Sequence, residues 1–286
     1  MTDISFTLRH LRLSAQRFGD PDGRKVIALH GWLDNSASFI PLAEHLSGVD
    51  LLAIDLAGHG HSDHRSADAH YHLFDWIQDV YELTQSLGWQ TFDLLGHSLG
   101  GIISSLYAAT FPEQVRTLTM IEAFGPLSRE ANSSPQQLRE SVLSRIEVDL
   151  KEARHPPTIE RATTARMMAG DLKRDSATLL VARNLDIQAQ TLKWRTDRRL
   201  RTISSLRTTE EQAQGFLQAI KAPVLAITGT QGFEKVKTNQ QRRAAHIRQL
   251  TTVECEGGHH LHMDNPQPVA QQLLSFWQQY EQEPQS

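Results

Sequence analysis

LLGHSLGGI, residues 94–102, sets a single serine between glycines at Gly96-His97-Ser98-Leu99-Gly100. The run that leads in, TFDLLGHS (91–98), is apolar enough for a buried strand, and LGGIISSLYAATFP after it reads as a helix. A strand that turns at once into a helix holds the residue at the tip in a strained conformation, with its side chain pointing out of the sheet. Bulky neighbours would collide with the strand and helix behind the tip, so positions 96 and 100 must be small, and Gly101 extends that tolerance into the helix. The spacing predicts a nucleophile elbow with Ser98 at its tip. It also places the Leu99 N–H at a helix N-terminus, where an anion is favoured.

Working outward, the same rhythm recurs. VIALHGW (26–32), DLLAIDLAG (50–58), VRTLTMIEAFG (115–125), APVLAITGT (222–230) and LTTVECEGG (250–258) are short apolar runs, most of them followed by helix-like sequence. Near-continuous apolar runs with β-branched residues suit strands covered on both faces. Their alternation with helices predicts βαβ units and a doubly wound, mostly parallel sheet. The first twenty residues alternate more loosely and read as an antiparallel edge hairpin. Between 126 and 221 the rhythm breaks into successive helical patterns such as SPQQLRESVLSRIEVDLK and TEEQAQGFLQAI, with no convincing strand. A crossover loop of that length is unreasonable. The expected organisation is a core of residues 1–125 and 222–286 with a helical lid of residues 126–221 over the carboxyl ends of the strands, where open α/β sheets bind ligands.

With 286 residues the chain is long enough for a sizeable core, and its net charge of −4 (29 Lys and Arg against 33 Asp and Glu) gives no overall bias toward nucleic acid. RTDRRLRTISSLR (195–207) is locally basic and reads as a solvated helix or loop face. One cysteine, Cys255, excludes an intrachain disulfide, and its alternating neighbours suit a structural residue on a strand. The N-terminus lacks the basic-then-apolar pattern of a signal peptide, and no apolar run approaches the ~20 residues of a membrane span. These features predict a cytoplasmic protein that acts on a small molecule, without nucleic acid or membrane as partner.

A serine of high pKa needs a base that titrates near neutrality, and histidine fits best. In chains with this elbow the order is Ser, acid, His, so the base lies after the last strand. CEGGHHLHMDNP offers three: His259, first after the glycines, is the leading candidate, with His260 and His262 as rivals. Three histidines on one loop could suggest a metal, but no carboxylate set at ligand spacing accompanies them, and no metal or cofactor is expected. The turn DLAGHGHSDH, with Asp55, Gly58, Gly60 and Ser62, reads as structured backbone. HGWLDN supplies the second oxyanion donor: Gly31 lets the backbone approach a ligand, and the Trp32 N–H would pair with that of Leu99. His30 reads as a brace for this loop, and Asp34 and Asn35 as caps of the next helix.

The acid is less direct. Three residues past the strand glycine of APVLAITG, the usual position holds Gly232, in GTQGFE. Glu122 ends the run LTMI after the elbow helix, where a charge is costly unless paired. Glu122 is therefore the leading acid, with Glu234 and Asp264 as alternatives. In the lid, Met167, Met168 and Trp194 are candidates for the pocket wall.

HGWLDN, DLAGHGHSD, GHSLGG and GGHHLHMDNP together resemble the α/β-hydrolase superfamily, and HGWLDNSASF and KWRTDRRL further resemble its serine-hydrolase-like branch. The resemblance implies the α/β-hydrolase fold, a Ser98/His259 pair and the Trp32 and Leu99 amides. Certain haloalkane dehalogenases carry a Glu in a segment similar to TMIEAF, at the same interval after the nucleophile, which favours Glu122. Those enzymes attack saturated carbon with a carboxylate, so the likeness ends at the nucleophile. A serine implies acyl transfer. The expected activity is hydrolysis of a small or medium carboxylic ester. Thioesters, lactones and carbon–carbon bonds lie within reach of the same machinery, and a ligand-binding homologue without turnover is the rival class.

Overall fold

The computed structural model of the chain describes residues 1–188 and 191–281. β1 (Thr2–Thr7) and β2 (Arg12–Gly19) form the antiparallel edge hairpin expected of the N-terminus, and β2 also runs antiparallel to β4. β3 (Arg24–Leu29) leads through α1 (Ile40–Ala43) to β4 (Val49–Ile54), α2 (Asp75–Leu87), β5 (Phe92–His97), α3 (Leu99–Thr110) and β6 (Val115–Ile121). Next come α4 (Ser134–Leu150), α5 (Ile159–Gly170), α6 (Arg174–Asn184), β7 (Leu185–Gln188), β8 (Thr191–Trp194) and α7 (Glu210–Ala219). β9 (Val224–Gly229), α8 (Glu234–Arg243), β10 (Leu250–Cys255), α9 (Leu261–Asp264) and α10 (Pro266–Gln279) complete the order. Eight strands make one sheet in the order β1-β2-β4-β3-β5-β6-β9-β10, and from β4 onward every neighbouring pair is parallel. This is an α/β-hydrolase fold.

The apolar runs work as the two-sided pattern requires. Along β3, Val26 and Ala28 enter one core while Ile27 and Leu29 enter the other. Residues of α2, α3 and α7 cover the Ile27 and Leu29 face, among them Trp76, Tyr107 and Leu217; α1 and α10 cover the Val26 and Ala28 face with Leu42, Leu273 and Trp277. Cys255 closes β10 as a buried thiol. No helix among the described residues is long and apolar enough to cross a membrane.

The segment between β6 and β9 departs from an all-helical expectation in one respect: β7 and β8 pair as a short antiparallel hairpin. Their apolar residues Leu185, Leu192 and Trp194 pack with Ala162 and Val181 in a small core of the insert itself, which the helical periodicity did not reveal. The insert is tied to loops at the carboxyl ends of the core strands. Arg183 of α6 pairs with the buried Asp55 at 2.8 Å, and Asn35 donates to the Leu180 carbonyl at 2.9 Å. Asp264 accepts from the Lys173 N–H at 3.2 Å and from the Ser176 hydroxyl at 2.5 Å. The turn 55–62 is structured backbone, as expected: Asp55 accepts from the Ser36 and His61 N–H groups at 2.7 and 2.8 Å. Gly60 has φ +51°, and a Cβ there would meet the Asp55 carboxylate at 2.4 Å.

α7, though within 126–221, gives Leu217 to the larger core, and Ile220 just past its end joins it. Its first residue, Glu210, holds Arg243, whose side chain is 0% exposed. Arg243 donates to Glu210 at 2.8 and 2.7 Å, to the Phe124 and Pro126 carbonyls at 3.0 and 2.8 Å, and to Ser128 at 2.9 Å, which occupies its whole fork. Glu210→Gln leaves a buried cation without its carboxylate and is expected to cost about 3 kcal/mol. The hydrogen bond from Arg243, acting against burial, holds the Glu210 carboxyl down to about 2 from its ordinary 4.5. A depressed acid stabilises fully above its unfolded value and loses that effect as pH falls through the folded one. Urea midpoints of wild type and Glu210→Gln should therefore differ most above pH 4.5 and converge toward about pH 2.

Candidate active site

Ser98 is the cap between β5 and α3, with φ +50° and ψ −113°, and its N–H donates to the Ile121 carbonyl at 2.9 Å. The glycine requirement is steric. A Cβ on Gly96 would lie 2.4 Å from the Gly100 backbone, one on Gly100 would lie 1.8 Å from the Leu29 carbonyl oxygen, and one on Gly101 would lie 2.6 Å from the Ala123 Cβ. Register then sets the neighbours. His97 pairs with Ile121, and Ile121 with Ile227, so Ser98 and Glu122 leave β5 and β6 at one level, beside Thr228 of the adjacent parallel β9. Leu33 (φ +63°), Ser98 and Glu122 (φ +51°) are three of the four described non-glycine residues with positive φ. Backbone strain of this kind collects at functional sites.

Glu122 is buried, and both of its oxygens are used. Oε1 accepts from the Gly229 N–H at 2.7 Å; Oε2 accepts from the Phe233 N–H at 3.0 Å and lies 3.1 Å from His259 Nδ1. A carboxylate there accepts the Nδ1–H, which leaves Nε2 of His259 as the basic nitrogen. Gly232, where the usual acid is missing, explains the arrangement: a Cβ at 232 would lie 2.0 Å from Glu122 Oε1. The glycine is the space that the glutamate fills. Glu234 is exposed at the start of α8. Asp264 is engaged with α6, as above.

His259 is packed from two sides. The Phe233 ring stacks on it at 3.9 Å with an interplanar angle of 15°, and His97 Nε2 lies 2.8 Å from the His259 carbonyl oxygen, so its N–H fixes that backbone. Burial, then the neighbouring His262, His259 and His260, hold His97 well below the usual histidine range, so it stays neutral. His262 is also buried and is pushed down to about 3, first by burial. His260 faces elsewhere, with Nε2 at 3.3 Å from Asp34 and Nδ1 at 3.1 Å from the Gly170 carbonyl.

His30 braces its loop, accepting from the Leu56 N–H at 3.0 Å, and Asn35 caps the following turn through the Ala37 N–H at 3.1 Å. Asp34 is not a cap. It is buried against Arg166 of α5, His260 and His97. Burial alone would raise its carboxyl, but the His260 and Arg166 charges hold it well below the usual carboxylate range. Asp34, His97 and His260 bring ligand atoms within 4.8 Å of one another, a spacing that a small cation could use. The Arg166 guanidinium already lies among them, hydrogen-bonded to Asp34 and 3.3 Å from His260 Nε2, so the positive charge there is the protein's own.

Ser98, His259, Trp32 and Phe233 all line one cavity of about 1440 Å³, closed over by residues of α5, α6 and the stretch 194–201. The volume exceeds the ~300–1,000 Å³ of ordinary small-molecule pockets. Trp32 is half exposed, and its indole N–H donates to the Leu200 carbonyl at 3.0 Å. Trp194 lines the cavity; the two methionines do not. α5 turns Ala165, Arg166 and Ala169 inward, so that Met168 is 84% exposed and Met167 packs against the small cluster around Leu180. Phe233 and His97 carried no local signal in the sequence, because their roles depend on where the 259 loop comes to rest.

A family model described as alpha/beta hydrolase fold matches residues 25–266. A serine hydrolase-like protein of Danio rerio is 29% identical over 93% of this chain and 85% of its own length. The crystal structure of a hypothetical protein from Pseudomonas aeruginosa PAO1 is 38% identical, covers 97% of this chain and all (100%) of its own, and superposes with a TM-score of 0.92. A pimeloyl-[acyl-carrier protein] methyl ester esterase of Shewanella woodyi is 36% identical over 51% of this chain and 54% of its own length.

Proposed function

This chain belongs to the alpha/beta hydrolase fold family, and from that premise we propose that it is a serine hydrolase cleaving a carboxylic ester of a small or medium acyl group through an acyl-enzyme on Ser98. The observation that carries this reading is the His259 imidazole, 3.1 Å from a buried, fully hydrogen-bonded Glu122 and facing the same cavity as Ser98 on its strained turn. The Shewanella woodyi relative, a methyl ester esterase, acts on the same class of bond.

In the proposed cycle Ser98 Oγ attacks the ester carbonyl carbon while His259 Nε2 takes the hydroxyl proton. The oxyanion settles on the Leu99 and Trp32 N–H groups, each such donor being worth about 3 kcal/mol. Collapse breaks the bond to the alcohol oxygen, which receives the proton from His259. Water then attacks the acyl-enzyme, with His259 as base again, and the carboxylic acid leaves. Glu122 keeps Nδ1 protonated and offsets the imidazolium charge.

A fluorophosphonate probe tests the reading, because it reacts only with an activated serine. The expected result is one adduct on the Ser98 peptide by mass spectrometry, absent in Ser98→Ala. An unlabelled Ser98, under conditions that label a known serine esterase, would favour a ligand-binding homologue without turnover.

A further inference from the structure

RTDRRLRTISSLR (195–207) remains unexplained by the reaction just described, and the fold places part of it on the cavity wall. Arg198 and Arg201 lie on a short 3-10 turn, Arg198–Arg201, that lines the cavity together with Lys151, Arg154 and His155 from the end of α4 and the loop after it. The Arg198 guanidinium donates to the Lys151 carbonyl, joining the two stretches into one wall.

Charge compensation there is incomplete. Lys151 pairs with Glu147. Asp197, the buried acid of the turn, is already held by Arg199 at 2.7 Å and by the Tyr71 hydroxyl at 2.8 Å. Among the described residues Arg154, Arg198 and Arg201 engage no carboxylate, and Glu152 is the remaining acid of the wall. A chain of net charge −4 thus carries an excess of guanidinium groups on one wall of its reaction cavity. A cleft lined by one sign of charge concentrates ligands of the other, and guanidinium forks match carboxylate and phosphate oxygens.

We infer that the wall formed by Arg154, Arg198 and Arg201 binds an anionic group, carboxylate or phosphate, carried by the substrate away from its scissile carbonyl. This rests on Ser98, reached from the sheet side of the same cavity, being the reacting group. It restricts the substrate class to esters or thioesters with an anionic tail, for which a cavity of about 1440 Å³ leaves room.

Binding to the Ser98→Ala protein tests this without relying on turnover, followed through the fluorescence of Trp32 and Trp194 on the cavity wall. Two matched pairs serve as ligands. Mono-p-nitrophenyl glutarate against p-nitrophenyl valerate adds a carboxylate, and S-butyryl-phosphopantetheine against S-butyryl-pantetheine adds a phosphate. In at least one pair the anionic member is expected to bind about tenfold tighter, ~1.4 kcal/mol, and the pair with the larger ratio identifies the anion. Adding Arg154→Gln and Arg201→Gln should bring that ratio close to one, as should high salt. Both arginines are exposed, and an unchanged melting temperature verifies the fold. Equal or tighter binding of both neutral members, or a preference that survives the double substitution, would overturn the assignment. Failure of the serine reading appears elsewhere, as a Ser98 that resists the fluorophosphonate.

Discussion

Ser98→Ala is expected to lower turnover of p-nitrophenyl butyrate by about 10⁴- to 10⁶-fold, with the protein still folded. Removing Oγ removes the covalent route altogether. The oxyanion donors and the binding cavity stay, so the residual rate should be that of water attacking a bound, polarised ester. Alanine fits the turn as well as serine does: the position has φ +50° in the native chain, and the surrounding clearances are set by Gly96 and Gly100, not by the hydroxyl. The measurement is kcat/KM on purified variant with a matched thermal melt. A rate equal to wild type would remove Ser98 from the mechanism.

The second large effect is expected at Glu122. Glu122→Gln should reduce kcat by about 10⁴-fold, the scale seen when a triad acid is replaced by its amide. Three donors converge on this carboxylate: the Gly229 and Phe233 N–H groups and Nδ1 of His259. A glutamine offers one oxygen and one NH₂, so at least one donor faces another: either His259 loses its acceptor, or the NH₂ opposes the Gly229 N–H, and in both cases the negative charge that offsets the imidazolium is gone. Glu234→Gln, at an exposed helix start, should change kcat little. A larger loss at Glu234 than at Glu122 would transfer the role of acid. Gly232→Ala offers an independent check, because its new Cβ would fall 2.0 Å from Glu122 Oε1 and should disable the acid without touching it chemically.

Much of this molecule was legible in one dimension. The glycines around Ser98 require a strand–turn–helix, since any larger residue at 96 or 100 overlaps neighbouring backbone. The buried apolar runs announce a parallel sheet because two-sided burial leaves little room for polar residues. Both signals are local, so a single sequence displays them. The hairpin β7–β8 escaped because its few apolar residues serve a small core inside the insert, too short a pattern to separate from the helices around it.

The elbow, the sheet and the chain order of Ser98, Glu122 and His259 can be read from the chain alone, because sterics and burial act between near neighbours. What these segments meet is settled by the three-dimensional packing. It is the adjacency of β6 and β9 that puts Glu122 into the space above Gly232, although the two positions lie far apart in the chain. Asp34, read as a cap, became the partner of Arg166, and arginines read as a solvated face became a cavity wall. Contacts between distant segments depend on register and on how the insert folds over the strand ends, and no local spacing encodes either.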